Sequence, residues 1–143
     1  MKYTLLALVL LISAGPGMNA QEHANFPWWN SPIRSDLGLT PTQTERIRQI
    51  VHSYRDRLLD ARNEVQKAQG DLEEILNDPN VNFDTAKPVI DRLANARANS
   101  SRVFLEMSVR LRSVLTLDQW RILVRRWDEQ QKRKPSQMET PPE

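Results

Sequence analysis

Two histidines, His23 and His52, are the only imidazoles in a chain of 143 residues that contains no cysteine. Neutral imidazole is a common ligand of divalent ions, so metal coordination is the chemistry they could offer. On a helix, His52 would have Arg48 and Asp56 one turn away. An antiparallel partner helix would bring Val109 near it, with Glu106 and Met107 about a turn off. A His, Asp and Met set of that kind would hold nickel or copper weakly, and Arg48 opposes any cation there. A lone histidine on a helix surface is ordinarily solvated. The expectation is therefore no dedicated metal site and no cofactor, with His52 the weak candidate for a divalent ion.

A second chemistry is the capture of polypeptide. Arg48, Arg55 and Arg62 recur every seven residues, so a helix would align them along one edge. Guanidinium groups beside apolar side chains attract acidic segments at long range and stack on aromatic rings. Phe104, Met107 and Leu111 would supply adaptable apolar contact on a neighbouring helix. Taken singly, each arginine more often solvates a helix flank or pairs with a local acid. Enzyme chemistry finds no support. The sequence has no Cys nucleophile, no Gly-rich phosphate loop and no Ser placed near a His.

These side chains must be positioned by helices, and two copies of one pattern mark where helices begin. Leu39-Thr40-Pro41-Thr42-Gln43 and Leu115-Thr116-Leu117-Asp118-Gln119 both read Leu-Thr-x-x-Gln. In each, the Thr hydroxyl can accept from the backbone N–H three residues on, and the Gln side chain can reach back to the Thr N–H. Pro41 falls at the first helical position, where a missing N–H costs nothing. Leu115 and Trp120 occupy the two positions of a hydrophobic staple.

The elements between and around the boxes follow from periodicity. Ile47, Val51, Tyr54, Leu58, Ala61, Val65, Ala68, Leu72 and Ile75 step by alternating fours and threes. That is a heptad seam, and it predicts a helix from Pro41 to about Leu76, ended by Asn77-Asp78-Pro79-Asn80. A second seam runs Ala86, Val89, Leu93, Ala96, Ser100, Val103, Met107, Arg110 and Val114, on a helix capped by Asp84. Laid antiparallel with Ile75 against Ala86, the seams stay in one register down to Ile47 against Val114. Val51 against Arg110 is the one poor layer, which Leu111 should relieve while Arg110 reaches outward. A third helix from Thr116 carries Trp120, Leu123, Val124 and Trp127 on one face. Before the hairpin, Ser31-Pro32 and Gly38 bracket a short helix over 32–37.

Lys2 followed by an apolar run over Leu5–Ile12, then small residues to Ala20, reads as a signal peptide cleaved near Ala20. The run is about half the roughly 20 residues a membrane span needs. Export to the periplasm is the expectation, with residues 1–20 removed. Residues 21–31 are expected to form an extended arm, 32–131 the helical hairpin domain, and 132–143 a disordered tail. The whole chain carries 20 bases against 18 acids, and losing Lys2 brings it nearer neutrality, so nucleic acid is not an expected partner. The fold class is all-α: a long antiparallel hairpin with short flanking helices. A stripe of Ile90, Phe104 and Leu111 finds no partner inside the hairpin. Exposed stripes mark interfaces, so a homodimer is expected, with the third helix folded over part of the stripe.

An exported, cysteine-free hairpin with Leu39-Thr40-Pro41-Thr42-Gln43 at one end of its helices and Leu115-Thr116-Leu117-Asp118-Gln119 at the other resembles the LTxxQ-motif periplasmic family. That family includes the Spy/CpxP-like chaperones and related periplasmic heavy-metal sensors. The Trp28-Trp29 segment is similar to bacterial members of the group. The resemblance covers about residues 26–127. It implies a curved, cradle-like dimer that binds unfolded or damaged envelope proteins without ATP, or acts in envelope stress. In the metal-responsive branch it implies binding of zinc, nickel, cobalt or copper, with signalling to a membrane sensor partner. The Cys- and His-rich segments of that branch have no counterpart here. The expected function is thus a chaperone or stress protein; the alternatives are a heavy-metal sensor or resistance protein and a structural coiled-coil adaptor.

Overall fold

The computed structural model describes residues 26–133. The expected leader, the first residues of the arm and residues 134–143 of the expected tail lie outside them, while Lys132 and Arg133, expected in that tail, are helical. Two 3-10 helices, Trp28–Asn30 and Pro32–Leu37, precede three α-helices: α1 (Pro41–Asn77), α2 (Phe83–Val114) and α3 (Leu117–Arg133). Among the described residues there is no strand, and the all-α hairpin is as expected.

Both Leu-Thr-x-x-Gln segments start helices. Thr40 caps α1: its Oγ1 accepts from the Gln43 N–H at 3.1 Å, and Gln43 Oε1 accepts from the Thr40 N–H at 3.0 Å. Thr116 and Gln119 repeat the arrangement at 3.2 and 2.9 Å. Gly38 ends the second 3-10 helix at φ 60°, in the left-handed region that favours glycine. The cap of α2 differs from expectation. Asn82, not Asp84, takes the role, and its Oδ1 accepts from the Thr85 N–H at 3.0 Å. The helix therefore begins earlier than expected, and Pro88 lies inside it. The bond that the Asp84 carbonyl would accept from residue 88 is lost, at an exposed position.

The hairpin keeps the register set by its seams. Buried residues on α1 are Ile47, Tyr54, Ala61 and Ala68; on α2 they include Ala86, Leu93, Val103 and Met107. Polar bridges across the pair agree with this alignment: Arg57 with Glu106 at 3.1 Å, and Arg92 with Asp71. At the poor layer Arg110 turns outward, and its Nε donates to the Tyr54 hydroxyl at 2.7 Å.

The core is concentrated at the open end of the hairpin. There Trp28, Trp29, Ile33 and Leu37 join Ile47, Tyr54, Val103, Met107, Leu111, Leu115 and Leu123 in one cluster. The half nearer the turn is a bare pair of rods, with Leu76 and Phe83 64% and 67% exposed at its tip. The arm is a correction to the sequence reading. Residues 28–30 form a 3-10 turn rather than an extended segment, because two large indoles are covered only when the chain folds back onto the hairpin. The supposedly unpartnered stripe is corrected with it: Leu111 is fully buried and Phe104 is half-buried against Trp29, while Ile90 remains exposed.

Gly70 lies inside α1, and a Cβ built on it meets nothing within 4 Å. Gly70→Ala should stabilise the protein by about 0.5–1 kcal/mol, since only backbone freedom of the unfolded chain is lost. A urea titration checks this, and a lower midpoint would mean that the glycine serves a bend.

Candidate functional site

Two arrangements stand out, one that closes the open end of the hairpin and one that opens beside it. The first joins the two boxes. Gln43 and Gln119 are 76 residues apart, yet each amide donates to the other: Gln43 Nε2 to Gln119 Oε1 at 2.8 Å, and Gln119 Nε2 to Gln43 Oε1 at 3.0 Å. Each nitrogen also donates to a backbone carbonyl, Gln43 to Val114 at 2.9 Å and Gln119 to Leu37 at 3.2 Å. With the bonds from Thr40 and Thr116, both amides use all of their donor and acceptor capacity. Leu39 packs on the core cluster and Leu115 is within it. Arg112 stacks over the Trp120 ring at 5.0 Å and donates to the Leu115 carbonyl at 3.2 Å. All six box residues therefore have structural roles, and the two boxes form one clasp.

The second is a groove of about 760 Å³ along α1, between that helix, the Trp arm and α2. Its floor is apolar: Ile47, Val51, Leu58, Leu59, Phe104 and Met107, with Trp29 closing one end. Its rim carries Arg34, Arg48, Arg55 and Arg62, with His52 among them and no carboxylate. Arg48 pairs with Glu45 just outside the groove. Arg34, Arg55 and Arg62 meet no carboxylate among the described residues. Uncompensated guanidinium groups beside an apolar floor suit a ligand that is apolar on one side and anionic on the other.

The structure brings Arg48, Arg55, Arg62, Phe104 and Met107 to this one groove. Leu111 is a correction. It is 0% exposed and belongs to the core cluster with Trp28 and Trp29 of the arm and Leu123 of α3, so it supports the groove rather than touching an occupant. Met107 is 1% exposed and contributes only the deepest part of the floor. Sequence reasoning missed Trp29 and Arg34. The two short 3-10 helices that carry them leave no period to read.

The donor set expected around His52 comes together only in part, with Met107 lining the same groove as the histidine. Glu106 pairs with Arg57 and lines a separate depression with Val109, away from the histidine. Among the described residues, no three of His, Asp and Glu gather where they could hold an ion, and the arginines around His52 disfavour one. His23 lies outside the described residues. Among those residues no helix is long and apolar enough to cross a membrane.

Comparison with known proteins adds the family. No curated protein and no solved structure matches the chain. A family model described as heavy-metal resistance matches residues 4–121, a span that takes in the hairpin and both boxes, and this family is related to the LTxxQ periplasmic proteins. The chain belongs to the heavy-metal resistance family.

Proposed function

We propose that this protein serves heavy-metal resistance in the periplasm by holding exposed polypeptide segments in the groove of α1, in the manner of a Spy/CpxP-like chaperone and without nucleotide. The observation that carries the mode of action is the rim of uncompensated arginines over an apolar floor. On this reading, the segments held are apolar stretches of envelope proteins that metal stress exposes. The guanidinium row attracts their acidic stretches over roughly a Debye length, about 8–10 Å at ordinary salt. The floor then holds apolar side chains as they leave water. A second copy of the chain would extend the surface, in keeping with the expected dimer.

The mature protein should suppress aggregation of an unrelated unfolding protein at near-equal molar ratio without ATP. Failure at every ratio would remove the capture reading. Arg55→Glu combined with Arg62→Glu should slow capture about 3–10-fold at low salt, with helicity unchanged and the difference fading at high salt. Stopped-flow capture rates that do not move would exclude steering by these side chains.

The family description favours a second reading, direct sensing of a divalent ion. His52 is the described residue that could contribute. Calorimetric titration with zinc, nickel, cobalt and copper separates the two. Micromolar binding that His52→Ala abolishes would put ion sensing first.

A further inference from the structure

We propose that the occupant the groove selects is an amphipathic helix with acidic residues seven apart along one edge of its apolar face. The inference rests on the reading of the groove as a polypeptide-binding surface and names the kind of polypeptide.

The spacing of positive charge sets the first constraint on the occupant. Arg48, Arg55 and Arg62 are successive heptad positions of one helix, so they repeat at about 10.5 Å. An occupant must present anions at that interval on one side while its other side meets the floor. A ligand with a single anionic head would satisfy one arginine and leave the others idle. An extended strand covers the interval in about three residues, but its side chains alternate, so successive acids would point to opposite faces. A helix returns to the same face after seven residues, at the same rise of about 10.5 Å.

The apolar surface has the matching form. Leu59 is 53% exposed beside the row, and Phe104, half-buried against Trp29, faces it across the groove. A stripe between a charged rim and an aromatic wall accepts one helix face, as in helix-in-groove recognition. From Thr44 to Arg62 the lining spans about 27 Å, the length of a helix of about 18 residues. Arg48 already pairs with Glu45, so Arg55 and Arg62 should dominate the choice of register.

Two labelled peptides of about 18 residues and identical composition test this against the full mature protein. One carries glutamates seven residues apart beside a leucine stripe. In the other they are five apart, which rotates each acid by about 140° from the last. Fluorescence anisotropy should give about tenfold tighter binding of the first, within the range expected of the two surface ion pairs made by Arg55 and Arg62. That preference should vanish in Arg55→Gln/Arg62→Gln, and circular dichroism should report helix gained on binding. Equal affinities, or a preference that survives the double substitution, would overturn the proposal. If the protein still suppresses aggregation but shows no preference, the helix inference falls and the capture reading stands. If it neither suppresses aggregation nor binds either peptide, both fall. If the double substitution instead converts a sedimenting dimer to monomer and neither peptide competes, the groove is a self-interface and the proposal is likewise overturned.

Discussion

Gln43→Glu should cost about 3 kcal/mol of stability at neutral pH, far more than a surface isostere ordinarily does. The side chain keeps its shape, but its nitrogen becomes an oxygen. The Val114 carbonyl loses its donor, and Gln119 Oε1 meets a second acceptor where it now meets an N–H at 2.8 Å. Leaving a partly buried acceptor unsatisfied costs about 1–3 kcal/mol, and more when the neighbour is charged. The Thr40 N–H remains satisfied, so the capping bond within α1 does not account for the loss. The pH dependence identifies the cause. A carboxylate held against acceptors binds its proton more tightly in the folded state than in the unfolded one. The protonated acid restores one of the two lost donors, so the deficit is smaller below the ordinary glutamate range and grows as pH rises through it. Urea unfolding at several pH values checks both parts. A loss within about 0.5 kcal/mol of zero, the usual range for surface changes, would mean that the paired amides contribute nothing beyond local capping.

Trp28→Ala should be the most damaging single change, at about 3–5 kcal/mol. The indole is 2% exposed, and its ring meets Trp29 edge to face at 6.0 Å and 83°. Its removal leaves a large void and frees the arm. Trp29 then loses its support, and with it the end wall of the groove, so capture should weaken together with stability. Trp28→Phe, which keeps an aromatic edge, should lose less on both measures. Thermal unfolding read beside the aggregation assay tests the link. A loss under about 1 kcal/mol would show that the arm rests on the domain without holding it together.

The sequence makes the hairpin legible because heptad spacing is local and repeats over many turns. Ile47 through Ile75, and Ala86 through Val114, announce both helices and their alignment. The Arg48, Arg55 and Arg62 edge is legible for the same reason, and it does line the groove with Phe104 and Met107. The arm is not legible. Trp28 and Trp29 lie in too short a segment to show a period, and their burial depends on helices distant in sequence. The fate of Leu111 follows from that gap, since it shares its core cluster with residues of the arm and of α3. Asn82 displaces Asp84 as the cap because local side-chain bonding to Thr85 decides between two good capping residues. Each box is readable as a helix start, but the bonds between them depend on closure of the whole hairpin. The family adds a function that no residue pattern in the described segment displays, since no ion-holding cluster forms there.

The pairing of Gln43 with Gln119 has a consequence for how this chain finds one structure. A seam of small and medium apolar residues repeating by sevens is nearly self-similar. Sliding one helix by a heptad would rebury most of its stripe, often Ala or Val against another aliphatic residue. Such a slip moves a side chain about 10.5 Å along the axis. No amide reaches that far, so every misaligned hairpin would take the N–H donors of both glutamines away from each other and from the Val114 and Leu37 carbonyls. The clasp thus works as a vernier: the coarse scale tolerates several settings, and the fine mark, at the end farthest from the turn, is met in only one.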